Sequence, residues 1–357
     1  MNENSIVHLN HAGQARLPVR SAEAAKAVLD LYVRKGSLSL PEWTEIIGTA
    51  RLRAAALIET RGDCIAFVSN TTTGIHLAMD LIPFEPGDRV LVAGAFPATI
   101  YPWKYASGNI AIPHFIPWET ADDVMERIDA EMRSGRIRAV FADWVHYATG
   151  RVLPVEELYN LCLSHDAYLI LDAIQGLGVL PSPVRHVDML CAGGAKWLMG
   201  TEGTGIVYVD PNRRWNRGPL GWLSRRYESY SSLFPLRPPL DDAGRFESGT
   251  LNVPGIAALS ESLNILLGYH DRFEIVSLLV NALREGAHIR GCETSVMIPE
   301  SGIIGIRVTD PESVLNALTE RGIRLSLRED WLRVSPHVVN TAEDIDRFWY
   351  AFDAVSS

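Results

Sequence analysis

Apolar positions along this chain fall into two alternating textures. Short runs of β-branched and aromatic residues, several of them apolar instead of alternating, occupy residues 64–69, 89–93, 111–117, 138–144, 167–172, 188–192 and 205–209. A run with no polar alternation predicts a strand covered on both faces. Between these runs, apolar residues recur at helical spacing between chemical start and stop marks. Thr120 with Asp123 is a capping-type start, Val124, Ile128 and Met132 follow on one face, and Gly135 is the stop. Pro154 opens another helix, with Val155, Leu158 and Leu161 or Cys162 on its apolar face. Such strand–helix alternation predicts an α/β fold with a largely parallel, doubly wound sheet.

Past Pro254 the texture changes. A long helical stretch over 256–287 leads to a strand at 302–308 and a helix begun by Asp310, Pro311 and Glu312 and ended by Gly322. A last strand at 332–338 precedes a final helix over 342–355, capped by Thr341.

Composition narrows the class. The chain has 357 residues, 47% hydrophobic and 21% charged, which excludes a disordered or low-complexity protein. A net charge of −10 argues against nucleic-acid binding as the main function, because no excess of cations is there to displace counterions. The four cysteines (Cys64, Cys162, Cys191, Cys292) lie far apart, without zinc spacing, and fit a reduced compartment. His8 and His11 are close in sequence but lack a third ligand, so no metal site is expected. With neither a leader pattern nor a membrane-length apolar run, a soluble cytoplasmic protein is expected.

In an open parallel sheet, ligands bind beyond the carboxyl ends of the strands. The first run is followed by Asn70 to Gly74, with three threonines at a helix start, which suits a phosphate. After the second comes Phe96 in a proline-containing loop. The run 167–172 ends in Asp172, with Gln175 just beyond, and the run 188–192 is followed by two glycines, Ala195 and Lys196. A phosphate cradle, an aromatic plate, a carboxylate, an amide and a lysine at one sheet edge are what pyridoxal 5′-phosphate requires. Each residue also has a plainer reading: the threonines as a helix cap, Phe96 as core, Asp172 as a strand-end cap.

The segments 171–176, 187–197 and 203–208 resemble the class V aminotransferase family, which contains cysteine desulfurases, kynureninases, isopenicillin N epimerase and C–S lyases. The likeness continues through 70–74, 96–103, 146–150, 245–252 and 332–341, in order along nearly the whole chain. It implies a fold-type I pyridoxal-phosphate enzyme with a large domain built on a mainly parallel seven-stranded sheet and a smaller C-terminal α/β domain. The expected units are an N-terminal segment (1–20) packing with the small domain, a large cofactor-binding domain (21–255) and the small domain (256–357).

Carried over, the resemblance implies that Lys196 forms the Schiff base and shuttles the Cα proton. Asp172 pairs with the ring nitrogen, Gln175 bonds the ring oxygen, Thr71 and Thr72 hold the phosphate, and Phe96 stacks on the ring. Thr250 reaches the phosphate from the partner subunit of a homodimer. Arg333 clamps the substrate carboxylate, and Asn10 lies where relatives bring the amino terminus over the substrate. The chain departs from the family pattern in having Ala195 before the lysine, Gly193 in place of a serine, and Tyr147 in place of an asparagine. The segment 322–333 holds no cysteine, which counts against a persulfide-forming desulfurase. The activity expected is an aminotransferase acting through an external aldimine and a quinonoid. A β-eliminating C–S lyase and an amino-acid epimerase use the same residues, and a non-catalytic scaffold is the alternative outside enzymes.

Overall fold

The computed structural model describes residues 6–108, 110–118, 120–225 and 238–355. Residues 1–5 and 356–357, the extremities of the first and last expected units, lie outside the described residues. After a two-residue strand β1 (Val7–His8) and helices α1 (Val19–Lys35) and α2 (Leu40–Leu57), the chain enters its main sheet. The strands of this sheet are β2 (Ile65–Val68), β3 (Arg89–Ala93), β4 (Ile112–Phe115), β5 (Ile137–Asp143), β6 (Tyr168–Asp172), β7 (Met189–Gly193) and β8 (Gly205–Val209). Helices α3 (Thr71–Leu81), α4 (Pro97–Tyr101), α5 (Ala121–Ser134) and α6 (Val155–Ser164) connect them. These seven strands are the runs expected from the sequence, with ends moved by no more than two residues.

The order across the sheet is β2-β8-β7-β6-β5-β3-β4. Only β8 runs antiparallel to its neighbours, so the expected mainly parallel, seven-stranded sheet is present. Alternate residues of the strands other than β4 feed separate cores on the two faces. On β5, Val140 and Ala142 join one core, while Ala139 and Phe141 join the other. That is why these strands are apolar throughout. The edge strand β4 differs from the central ones: it has a strand on one side only, and Ile112 is 59% exposed.

The stretch expected as one helix over 256–287 is two helices, α7 (Val253–Leu267) and α8 (Arg272–Ile289). Gly268 caps the first, and Arg272 Nη1 donates to the carbonyls of Leu266 and Tyr269 across the break. Helices α1 and α2, which the sequence pattern did not reveal, pack on α7. In α1 only Ser21 and Val28 are buried, too few for a periodic signal.

The C-terminal strands β9 (Ile304–Arg307), β11 (Ser326–Arg328) and β12 (Trp331–Val334) form an antiparallel sheet in the order β11-β12-β9. Helices α9 (Pro311–Glu320) and α10 (Ala342–Asp353) complete this part of the chain. Strand β1 pairs with β10 (Ile323–Arg324). The strand expected to reach residue 338 stops at Val334, because the backbone of Ser335 turns to pair with the amino-terminal segment: its N–H donates to Leu9 at 2.8 Å, and its carbonyl accepts from His11 at 3.2 Å. Among the described residues no helix is long and apolar enough to cross a membrane.

Candidate active site

The parallel strands β5 and β6 end together, with Asp143 opposite Asp172 in register. Both carboxyls are buried and line a cleft with Phe96, Val145, Tyr147, Ile174, Gln175 and Lys196. Asp172 Oδ1 accepts from the N–H of Ile174 at 2.9 Å, whereas its buried Oδ2 has no hydrogen-bond partner among the described residues. Burial and the neighbouring Asp143 raise Asp172 well above the usual carboxylate range.

Lys196 stands on the tight loop after β7. Gly194 N–H donates to Thr204, Gly200 N–H donates back to Gly194, and the Ala195 carbonyl accepts from Ala15 N–H at 2.9 Å. Burial pulls the Lys196 ammonium down to about 8, against the opposing attraction of Asp172. A lysine so placed carries a far larger neutral fraction near neutral pH than a surface lysine and can act as nucleophile or base.

The aromatic wall is Phe96, with its ring centroid 5.4 Å from Lys196 Nζ and 5.4 Å from the Tyr147 ring. Phe96 is 37% exposed, so one face is open. His146 stacks behind Tyr147 at 5.3 Å. The loop carrying them closes on the small sheet at Gly150, where φ is +80° and a Cβ would lie 2.3 Å from the Ile303 carbonyl.

Helix α3 begins beside this cleft. Asn70 caps it, with Oδ1 accepting from Thr73 N–H at 2.9 Å. The helix lies so close to β7 that a Cβ on Gly74 would be 2.7 Å from Cys191 Sγ. Thr71 is buried and its hydroxyl accepts from Gly193 N–H at 3.0 Å, which leaves the hydroxyl hydrogen free to donate. Thr72 is exposed at the helix start, and Thr250 is exposed on the loop before α7. The structure therefore brings Lys196, Asp172, Gln175 and Phe96 together in the cleft and sets Thr71 near its edge. Thr72 and Thr250 do not line it.

Gln175 is held from both sides: Nε2 donates to the Ala12 carbonyl at 3.1 Å, and Oε1 accepts from Trp197 Nε1 at 2.9 Å. Arg333 is buried, with Nε donating to Ser326 Oγ, Nη1 to the Tyr147 carbonyl at 2.8 Å, and Nη2 to Asn10 Oδ1 at 3.5 Å. None of these partners is a carboxylate. Burial and the nearby Arg328 lower its guanidinium to about 9. A buried cation held only by neutral acceptors is prepared for an anion.

Sequence reasoning missed Asp143, Thr99 and Ser326. A signal existed for Asp143, which sits near the end of an apolar run as Asp172 does. Tyr147 Oη also donates to Glu329 at 3.2 Å.

Comparison with known proteins agrees in scope with this geometry. The family model described as aminotransferase class-V matches residues 9–348. The uncharacterized aminotransferase YcbU of Bacillus subtilis is 23% identical over 353 residues, covering 94% of this chain and 91% of that protein. A "probable hercynylcysteine sulfoxide lyase" of Mycobacterium tuberculosis is 25% identical, covering 94% of this chain and 82% of its own. Among solved structures, the cystine C–S lyase C-DES in complex with its product cysteine persulfide superposes with a TM-score of 0.88 at 22% identity, covering 99% of this chain and 98% of that one.

Proposed function

The chain belongs to the aminotransferase class-V family, and from that premise we propose that it is a pyridoxal-phosphate-dependent aminotransferase acting on the amino group of an α-amino acid. Its cofactor is pyridoxal 5′-phosphate. The observation that carries the reading is the buried, unpartnered Oδ2 of Asp172 in the cleft that holds Lys196 and Phe96. A protonated ring nitrogen supplies the one donor that this oxygen lacks.

In this reading Lys196 anchors the cofactor and Asp172 holds its ring nitrogen. Phe96 covers one ring face, and Gln175 turns its second amide hydrogen to the ring oxygen. Thr71, Thr72 and the start of α3 take the phosphate, with Thr250 contributed by the second subunit of a homodimer. When bound, the cofactor supplies an electron sink that makes the substrate Cα–H acidic. Arg333 binds the substrate carboxylate beside Asn10. Lys196 Nζ then takes the Cα proton and returns it, so the same atom serves as base and acid.

A second reading, β-elimination from a cysteine derivative, is favoured by the lyase relative, which is matched over 82% of its length. Persulfide chemistry finds no support in the cleft: Cys64, Cys162 and Cys191 are buried, and Cys292 lies in a separate surface groove. The deciding experiment incubates the cofactor-loaded chain with a panel of amino acids. Amino transfer that depends on a keto-acid acceptor supports the aminotransferase. Release of pyruvate and sulfide without an acceptor overturns it in favour of the lyase. A Lys196→Ala chain with undiminished biological activity sinks both and leaves a scaffold. We place the protein in the cytoplasm, on the strength of its four free cysteines.

A further inference from the structure

Asp143 is the second buried carboxyl of the cleft, and nothing in the functional reading above uses it. Its Oδ2 accepts from the N–H groups of Ala95 at 2.8 Å and Phe96 at 3.0 Å, and its Oδ1 accepts from the Thr99 hydroxyl. It therefore grips the loop that carries the aromatic plate. Burial raises Asp143 above the ordinary carboxylate value, but the three donors oppose that shift and favour its ionised form over that of a neighbour with fewer donors. Asp172, its register partner, receives only the Ile174 N–H and has a bare oxygen. Adjacent parallel strands lie about 4.8 Å apart, too close for two buried carboxylates to ionise independently.

We propose that Asp143 is a positioning residue: it stays ionised, locks the Phe96 loop, and raises the proton affinity of whatever group occupies Asp172 Oδ2. In the free protein that group is Asp172 itself, so the pair shares one proton and keeps it on Asp172. With the cofactor bound it is the ring nitrogen, and this arm rests on the functional reading above. Two negative charges behind the nitrogen then hold its proton more firmly than one. The other titratable groups facing Asp172 are Lys196, whose charge opposes the effect, and the buried Cys191 thiol, held protonated by burial and by Asp172.

The test separates charge from scaffolding through Asp143→Asn, which is isosteric and keeps an oxygen for the Ala95 and Phe96 N–H groups. The full chain loaded with ring-¹⁵N pyridoxal phosphate is titrated by NMR. The expected result is that the midpoint for loss of the ring proton falls by about one pH unit or more, a tenfold weaker hold. An unmoved midpoint with the loop intact overturns the proposal. A second measurement needs no variant to fold beyond an Asp172→Asn assignment control: the unsubstituted full chain with ¹³C-labelled aspartate carboxyls, without added cofactor. Asp172 is expected to keep its proton into the neutral range. If it ionises near the ordinary value of about 3.9, the proposal fails. Failure to take up pyridoxal phosphate at all sinks the functional reading instead; the ¹³C titration repeated on the Asp143→Asn chain still decides the role of Asp143, because burial alone also raises Asp172 and only a lower Asp172 midpoint in that variant supports the proposal, an unmoved one overturning it.

Discussion

Arg333 Nη1 donates to the backbone carbonyl of Tyr147 at 2.8 Å, joining the small C-terminal sheet to the loop that leaves β5 of the main sheet. One guanidinium thus ties two parts of the chain together and leaves the positive charge without a carboxylate. The expected outcome of Arg333→Ala is a loss of about 100-fold in kcat/KM for amino acids, the equivalent of about 3 kcal/mol for a charge-assisted pair. Arg333→Lys should recover part of it, lacking the bidentate fork. Steady-state kinetics with an amine that has no carboxylate is the control, and equal losses on both substrates would count against carboxylate binding.

Lys196 should be unusually reactive. Its folded pKa lies at about 8, below the ordinary lysine value, because burial disfavours the charged amine. The rate of its covalent labelling by an aldehyde, trapped with borohydride and located by mass spectrometry, should therefore reach half-maximum near pH 8. Half-maximal labelling at the pH of the surface lysines would contradict this.

Acid should loosen the seam between the amino terminus and the small sheet. His337 is fully buried, its Nε2 bonded to the Trp197 carbonyl at 2.9 Å, and burial lowers it to about 4. The unfolded chain binds a proton on this ring below about 6.5, while the folded chain does not until about 4. Stability therefore falls as pH drops from 6.5 towards 4, by about 3 kcal/mol from this residue. Urea midpoints between pH 7 and 4.5 measure it, and His337→Gln should flatten the slope. An unchanged slope in that variant would place the acid sensitivity elsewhere.

The proposed homodimer, with Thr250 reaching the partner subunit's phosphate site, gives a mixing prediction. In that arrangement a Lys196→Ala subunit would still supply Thr250, and a Thr250→Ala subunit would still supply Lys196, so a mixed dimer would hold one intact site. Unfolded together and refolded, the two inactive preparations should regain activity that neither shows alone. No recovery would mean that each site is built within one chain.

Most of the main sheet was legible because its cause is local. Strands buried on both faces must be apolar at every position, and β5 to β8 announce themselves in that way. The cap residues Thr120, Asp310 and Thr341 were legible for the same reason, since a side chain that caps a helix acts within three residues of itself. Helix α1 was not legible, because its partner α7 lies more than two hundred residues away and only Ser21 and Val28 of its own residues are fully buried.

The sequence by itself determined which residues stand at the strand ends, and so placed Asp172, Gln175 and Lys196 at a single sheet edge. Only the tertiary structure decided that β5 lies beside β6, which sets Asp143 against Asp172. It alone carried Arg333 under Tyr147, and folded residues 10–15 over the lysine loop through Ala15 and Ala195. The physical reason is range: strand and cap signals come from neighbours along the chain. A shared buried charge or a guanidinium with neutral partners exists only once distant segments exclude water between them.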